Sequence, residues 1–198
     1  GSEYLFGLNE QGLLEKTTKS KKLEAVVEYI AEHLETDEDA KVVLFTSFRG
    51  MLPLIESCLT KKKIGCTLYS GSMNAKEKED SKVLFQTSKE VRVLISTDAG
   101  GYGVDLPQAN LLVNYDLPWS SGTAMQRNSR IRRASSTWKA VVIQDFLIAD
   151  SMEERQYQML QQKNAVADAV LDGQGINSKG GIDMTVGSLI GFLQNTRP

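Results

Sequence analysis

Val91-Arg92-Val93-Leu94-Ile95-Ser96-Thr97-Asp98-Ala99-Gly100-Gly101-Tyr102-Gly103-Val104-Asp105-Leu106 is the stretch on which the fold turns. Its opening apolar run carries a single charge, the pattern of a strand buried on both faces of a parallel sheet. A glycine-rich loop follows at once, so that loop leaves the carboxyl end of the strand, the edge where open α/β sheets bind ligands. Without a Cβ, Gly100, Gly101 and Gly103 allow positive φ and close backbone approach, and successive N–H groups can cradle an anion. The same glycines would serve an ordinary corner between strand and helix, so the loop alone does not decide function.

Downstream lies an arginine cluster, Gln126-Arg127-Asn128-Ser129-Arg130-Ile131-Arg132-Arg133. Residues 117–144 contain five basic side chains and no acidic one, although the chain as a whole has a formal net charge of −2. If residues 122–133 are helical, Arg130 and Arg133 stand three apart and share a face. Crowded unpaired cations call for a strong anion, for which guanidinium groups are suited. A solvated basic face is the alternative.

Further outward, the chain alternates strand and helix. Apolar residues Leu23, Val26, Val27, Ile30 and Leu34 make a helical stripe behind Ser20 as N-cap. Residues 42–48 read as a buried strand, followed by a helix from about Met51 with Pro53 in its first turn and Lys61-Lys62-Lys63 at its end. Residues 66–69 form the next strand, and Asn74 with Glu77 makes a capping box. Strands follow over 91–96, 111–115 and 140–146, and Ser151 with Glu154 opens a long helix to about Leu171 with Met152, Met159, Val166 and Val170 on one side. Such alternation implies parallel pairing through right-handed crossovers. Ser47, Gly71 and Thr97 then fall where strands end, on one edge.

A chain of 198 residues with 41% hydrophobic content suits one globular domain. Lacking a membrane-length apolar run or a leader, it is expected to be intracellular, cytoplasmic or, in a eukaryote, nuclear. Cys58 and Cys66 form no C-x-x-C pair and His33 is the sole histidine, which excludes a zinc site and a Ser-His-Asp hydrolase. The two cysteines read as reduced and buried. Residues 1–19 read as a linker in which Gly1-Ser2 is an expression scar. Residues 20–172 form the domain, and 173–198 a C-terminal extension with a glycine-rich turn and a short helix over 184–193.

The glycine loop resembles motif V of superfamily 2 helicases and translocases, and the arginine cluster resembles their motif VI, Q-x-x-G-R-x-x-R. Between them, Asn114-Tyr115-Asp116-Leu117-Pro118-Trp119 resembles the Y-D-x-P-W segment of the SNF2 branch. Ser20-Lys21-Lys22-Leu23, residues 42–48, Tyr69-Ser70-Gly71-Ser72 and Ser151-Met152-Glu153-Glu154 match further pieces in order. Residues 20–172 are thereby identified as the second RecA-like lobe of an SNF2-type ATPase.

The resemblance implies an α/β, RecA-like three-layer domain: a largely parallel sheet covered by helices on both faces, with a C-terminal helical extension. It implies ATP and Mg2+ held mainly by a first lobe outside this chain. The partners it implies are duplex DNA and that N-terminal RecA-like lobe of the same protein; the oligomeric state is not readable from the sequence, and a monomer is expected. Arg130 and Arg133 take the positions of arginine fingers, and Gln126 that of a residue tying nucleotide to lobe. Gly103 and Asp105 match nucleotide-facing positions of motif V. Thr97 matches a nucleic-acid backbone contact, and Ser47 and Gly71, from motifs IV and IVa, are candidates for the same work.

No G-x-x-x-x-G-K-[ST] occurs. Thr36-Asp37-Glu38-Asp39-Ala40 imitates a DEAD-type Walker B motif but follows an amphipathic helix, so it reads as a solvated acidic loop. Departures from the family pattern are Ser129 in place of the glycine of motif VI, Arg132-Arg133-Ala134-Ser135-Ser136 in place of H-R-I-G-Q, and Asp105 in the DEAD-box form of motif V. A bacterial or phage branch is one home for such a variant. Two alternatives stand beside the leading one. The first is another superfamily 2 lobe, such as that of an RNA helicase, against which Trp119 and the long helix after Ser151 argue. The second is a degenerate scaffold that binds DNA without catalysis.

Overall fold

The computed structural model describes residues 5–8, 14–17, 20–100, 104–118, 120–131, 138–148 and 152–171. The chain divides into two compact units, residues 1–157 and 158–198. Within the first, five strands form one parallel sheet: β3 (Val42–Thr46), β4 (Gly65–Tyr69), β5 (Val91–Thr97), β6 (Leu111–Asn114) and β7 (Val142–Asp145). Ahead of them, β1 (Leu5–Leu8) and β2 (Leu14–Thr17) pair antiparallel inside the stretch expected to be linker.

The spatial order is β4-β5-β3-β6-β7, with β3 at the centre. Its register aligns Val42 with Val93 on one side and with Leu111 on the other. The chain therefore fills one side of β3 with β5 and β4, then crosses to β6 and β7, and such a reversal marks the carboxyl ends of β5, β3 and β6 as the edge where ligands are expected.

Alternate residues of each strand feed two apolar layers. On one face Val42, Leu44, Val93, Ile95, Leu111 and Val113 meet α1 (Lys21–Thr36) and α2 (Leu52–Lys61). On the other, Val43, Phe45, Leu94 and Leu112 meet Phe85 of α3 (Ala75–Thr87), Leu106, Ala109 and Ile131. The three-layer expectation holds. Helices α1 and α3 start where the sequence says: Ser20 Oγ accepts from Leu23 N, and Asn74 and Glu77 form the reciprocal capping box. All five stripe residues of α1 are buried. The acidic 36–40 segment closes α1 and turns into β3, as expected of a loop.

The amino end of the sheet is fastened by cations to main-chain carbonyls. Lys41 Nζ donates to Phe85 O, to Ser88 O at 2.7 Å and to Val91 O at 3.2 Å, closing the carboxyl end of α3. Arg92 does the same for α1, donating to Leu34 O at 2.9 Å, Ala40 O at 3.0 Å and Asp37 O. Orphan carbonyls at helix ends are thus satisfied. Cys58 and Cys66 are free and half-buried rather than fully buried.

Helix α5 (Met152–Leu171) is the expected long helix and runs across the boundary between the units. Its first turns are anchored by the Lys22–Glu153 ion pair at 2.6 Å and by Gln156 Nε2, which donates to Leu117 O and Pro118 O. The expected helix over 184–193, the initiating Ser151 and the side chains of Met152, Val166 and Val170 lie outside the described residues. No described helix is long and apolar enough to cross a membrane.

Candidate functional site

Strand β5 ends at Thr97, and the loop it feeds packs backbone against backbone on the loop leaving β4. A Cβ on Gly100 would sit 2.3 Å from Tyr69 O and 2.7 Å from Ser70 Cα, and one on Gly71 would sit 2.9 Å from Ala99 Cβ. At Gly100 the need is close approach, not positive φ, which it does not adopt. Gly101 and Gly103 lie outside the described residues, as does Trp119. Thr97 is only 3% exposed, and its hydroxyl accepts from Gly100 N at 3.3 Å, holding the turn. Gly71 is exposed, and Asp105 is exposed between the buried Val104 and Leu106.

The arginine segment differs from its expected form. Helix α4 (Ser121–Asn128) stops five residues before Arg133, because Ser129 turns its hydroxyl back to Gln126 O at 2.8 Å and competes with the helical ladder. Arg130 therefore stands on the turn after the helix, its N–H bonded to Arg127 O and its carbonyl accepting from Leu106 N, both at 3.0 Å. The second bond ties it to the loop that follows β5. Arg132 and Arg133 lie outside the described residues, so the expected face shared by Arg130 and Arg133 does too. Gln126 is exposed.

The sequence reading passed over Arg127, the most heavily bonded side chain at this end of the sheet. It is 2% exposed and lies over the Phe45 ring at 5.5 Å. Its Nε and Nη2 donate to the two carboxylate oxygens of Asp98 at 2.5 and 3.0 Å, and Nη2 also donates to Ser47 Oγ at 2.9 Å. Nη1 donates to Asn114 Oδ1 at 3.0 Å and Asp116 O at 2.7 Å, while the Asp116 carboxylate stands 3.5 Å from Nη2. One guanidinium thereby joins the ends of β3, β5 and β6 to α4. Burial of such a cation is tolerable only with this many partners. Mixed signs would have flagged it: an arginine in a helix following strands that end in Asp98 and Asp116.

Ser47 belongs to the same network. Its N–H donates to Asp116 Oδ1 at 2.8 Å and its hydroxyl to Asp98 Oδ2 at 3.2 Å, so both of its donors are in use. Thr46 Oγ1 adds a 2.5 Å bond to Asp116 Oδ2.

Arg130 is the opposite case. It is 8% exposed, yet its guanidinium makes no hydrogen bond or ion pair among the described residues. The buried side-chain atoms without a partner among the described residues are Gln108 Oε1 and Asn128 Oδ1, and no nitrogen of Arg130 is among them. A cation held this way suits an anionic oxygen, such as that of a phosphoryl group. No three His, Cys, Asp or Glu side chains converge as a metal site among the described residues.

The family profile described as Helicase conserved C-terminal domain matches residues 21–135. The chain is 30% identical over 154 residues to the DNA repair protein RAD5 of Cryptococcus neoformans, covering 77% of this chain and 13% of that protein. The solved C-terminal part of the Fun30 ATPase domain superposes with a TM-score of 0.66 and 25% identity, covering 72% of this chain and 46% of that one. The Sulfolobus solfataricus SWI2/SNF2 ATPase C-terminal domain shares the fold, with a TM-score of 0.58 and 23% identity over 77% of this chain and 62% of that one. The chain spans 8% to 16% of the length of the curated relatives it matches.

Proposed function

Because this chain belongs to the helicase conserved C-terminal domain family, in its SNF2-type branch, we propose that it is the second motor lobe of a DNA-dependent ATPase and double-stranded DNA translocase. The observation that carries the reading is Arg130, a cation on a buried stem with no partner among the described residues, at the carboxyl edge where α/β sheets bind ligands. RAD5 is named a DNA repair protein and Fun30 an ATPase, which gives the reading its substrate classes.

ATP bound with Mg2+ by a first lobe brings a phosphoryl group whose charge develops during transfer. Arg130 reaches across the cleft to that charge, with Arg133 as its companion and Gln126 beside them. Electrostatic stabilisation of this kind is worth about a thousandfold or more. Asp105, in the loop bonded to Arg130 through Leu106, accepts from the ribose hydroxyls, and Gly103 takes its place in the same nucleotide-facing motif. One DNA strand runs along Ser47, Gly71 and Thr97, held by its phosphates and not by its bases, which leaves movement indifferent to sequence. Gly71 is open to such a strand as it stands, whereas Ser47 must first release Asp98 and the buried Thr97 must first be uncovered.

The deciding experiment is ATP turnover by the intact protein with duplex DNA, with RNA and with neither. Duplex DNA should stimulate turnover, and Arg130→Met or Arg133→Ala should abolish it while DNA binding persists. Stimulation by RNA alone would move the chain to another superfamily 2 branch. DNA binding with background turnover would make it a scaffold.

A further inference from the structure

We propose that Arg127 is the positioning residue through which a strand bound at the ends of β3 and β5 sets Arg130, so that DNA stimulation of turnover passes through it; this rests on the functional reading above. Two sets of bonds meet at this residue. Toward the strand ends, its guanidinium holds Ser47 Oγ and both carboxylate oxygens of Asp98, the residue following Thr97. Toward the nucleotide side, its carbonyl accepts from Arg130 N, and Arg130 in turn accepts from Leu106. Two residues separate a fully paired arginine from one with no partner among the described residues.

The bonding at Ser47 supplies the physical link. A phosphate oxygen accepts hydrogen bonds, and both donors of Ser47 are already committed, its N–H to Asp116 and its hydroxyl to Asp98. Engaging a phosphate through this hydroxyl therefore withdraws it from Asp98. Asp98 and Ser47 share Arg127 Nη2, so the exchange changes two of that nitrogen's bonds at once. A buried guanidinium cannot lose partners without moving to regain them. Movement of Arg127 displaces the turn that carries Arg130.

A second observation marks that turn as able to settle differently. Asn128 Oδ1, immediately after Arg127, is buried and has no hydrogen-bond partner among the described residues. Such an acceptor is unfavourable as it stands, and another arrangement of residues 127–130 can give it a donor.

The test uses the intact protein and reads the ratio of DNA-bound to DNA-free turnover, because a loss of folded protein lowers both rates equally and leaves the ratio unchanged. Arg127→Lys keeps a cation but not the fork that spans Asp98, Ser47 and Asn114. Measured at saturating duplex, the stimulation ratio should fall by about tenfold, a usual size for coupling between sites, whatever the DNA-free rate of the variant. Asp98→Asn keeps shape and hydrogen bonding without the charge, and decides the matter alone if the Arg127 variant does not fold. It should also lower the ratio, and the double variant should lose no more than Arg127→Lys, since both act on one link. Full stimulation in both single variants, beside an inactive Arg130→Met, would overturn the proposal and leave the functional reading intact. A wild-type protein that duplex DNA never stimulates would overturn both.

Discussion

The two ends of the central sheet each hold cations, half-buried at the amino end and buried at the carboxyl end, and they bond them to different things. At the amino end Lys41 and Arg92 donate to main-chain carbonyls of α1, α3 and the segments that follow them. At the carboxyl end Arg127 donates mainly to side chains of three strand ends, and Arg130 has no partner among the described residues. Main-chain carbonyls move only when a helix moves, so the first arrangement is fixed by the fold. Side-chain partners can be exchanged for a ligand's atoms. The same residue type thus serves stability at one end and, by our reading, chemistry at the other.

The sharpest way to break this comparison is to remove one cation from each end. Arg130→Met, which keeps the stem and loses the charge, should lower turnover of the intact protein about a thousandfold, or about 4 kcal/mol of barrier. Its thermal midpoint should stay close to that of the wild type. A midpoint that falls in step with turnover would make Arg130 another structural fastening. Arg92→Met should do the reverse. It takes the Arg92 donor from the carbonyls of Leu34, Ala40 and Asp37, the last of which keeps Ala40 N, costing about 2 kcal/mol in chemical denaturation while turnover per folded molecule is unchanged.

A finer division lies within the carboxyl end, where some groups are also closed by main-chain bonds. Asn74 accepts from Glu77 N at 2.9 Å and begins α3 there, so Asn74→Ala should behave like an amino-end variant. The expected loss is about 1 kcal/mol of stability with no kinetic effect. A large fall in turnover would show that this end acts as a whole.

The smallest effect comes from a probe belonging to neither end. Burial, with the Glu56 charge second, pushes the Cys66 thiol on β4 up to about 11 from 9.0. Between those values the native protein keeps a proton that the unfolded chain has released, so this group's contribution to stability falls as pH rises through the interval. The urea midpoint of Cys66→Ala should therefore decline less steeply there. At pH near 8 the native thiol should alkylate far more slowly than in the denatured chain, about a hundredfold by thiolate fraction. Equal rates would show that β4 opens readily and that the sheet is no rigid frame between its two ends.

Much of this molecule was legible in its sequence. Ser20, Asn74 and Glu77 announced helix starts because capping depends on residues within one turn of each other. The runs at Val42 and Val91 announced buried parallel strands, and the motif spacing announced the family. Arg130 was singled out for its place in a motif. Its bonding state was not readable, because an arginine looks the same in sequence whether paired or unpaired.

Only the tertiary structure distinguished the two arginines. Asp98, Asn114, Asp116 and Ser47 come from three strands and lie 11 to 80 residues from Arg127, and no local pattern records that they converge on one guanidinium. The early end of α4, which places Arg130 on a turn, likewise came from a competing hydroxyl at Ser129. Sequence determined the elements and their order because propensity, capping and periodicity act over a few residues. Which charge is satisfied and which stays open depends on what the crossovers bring together, and that is a property of the assembled sheet.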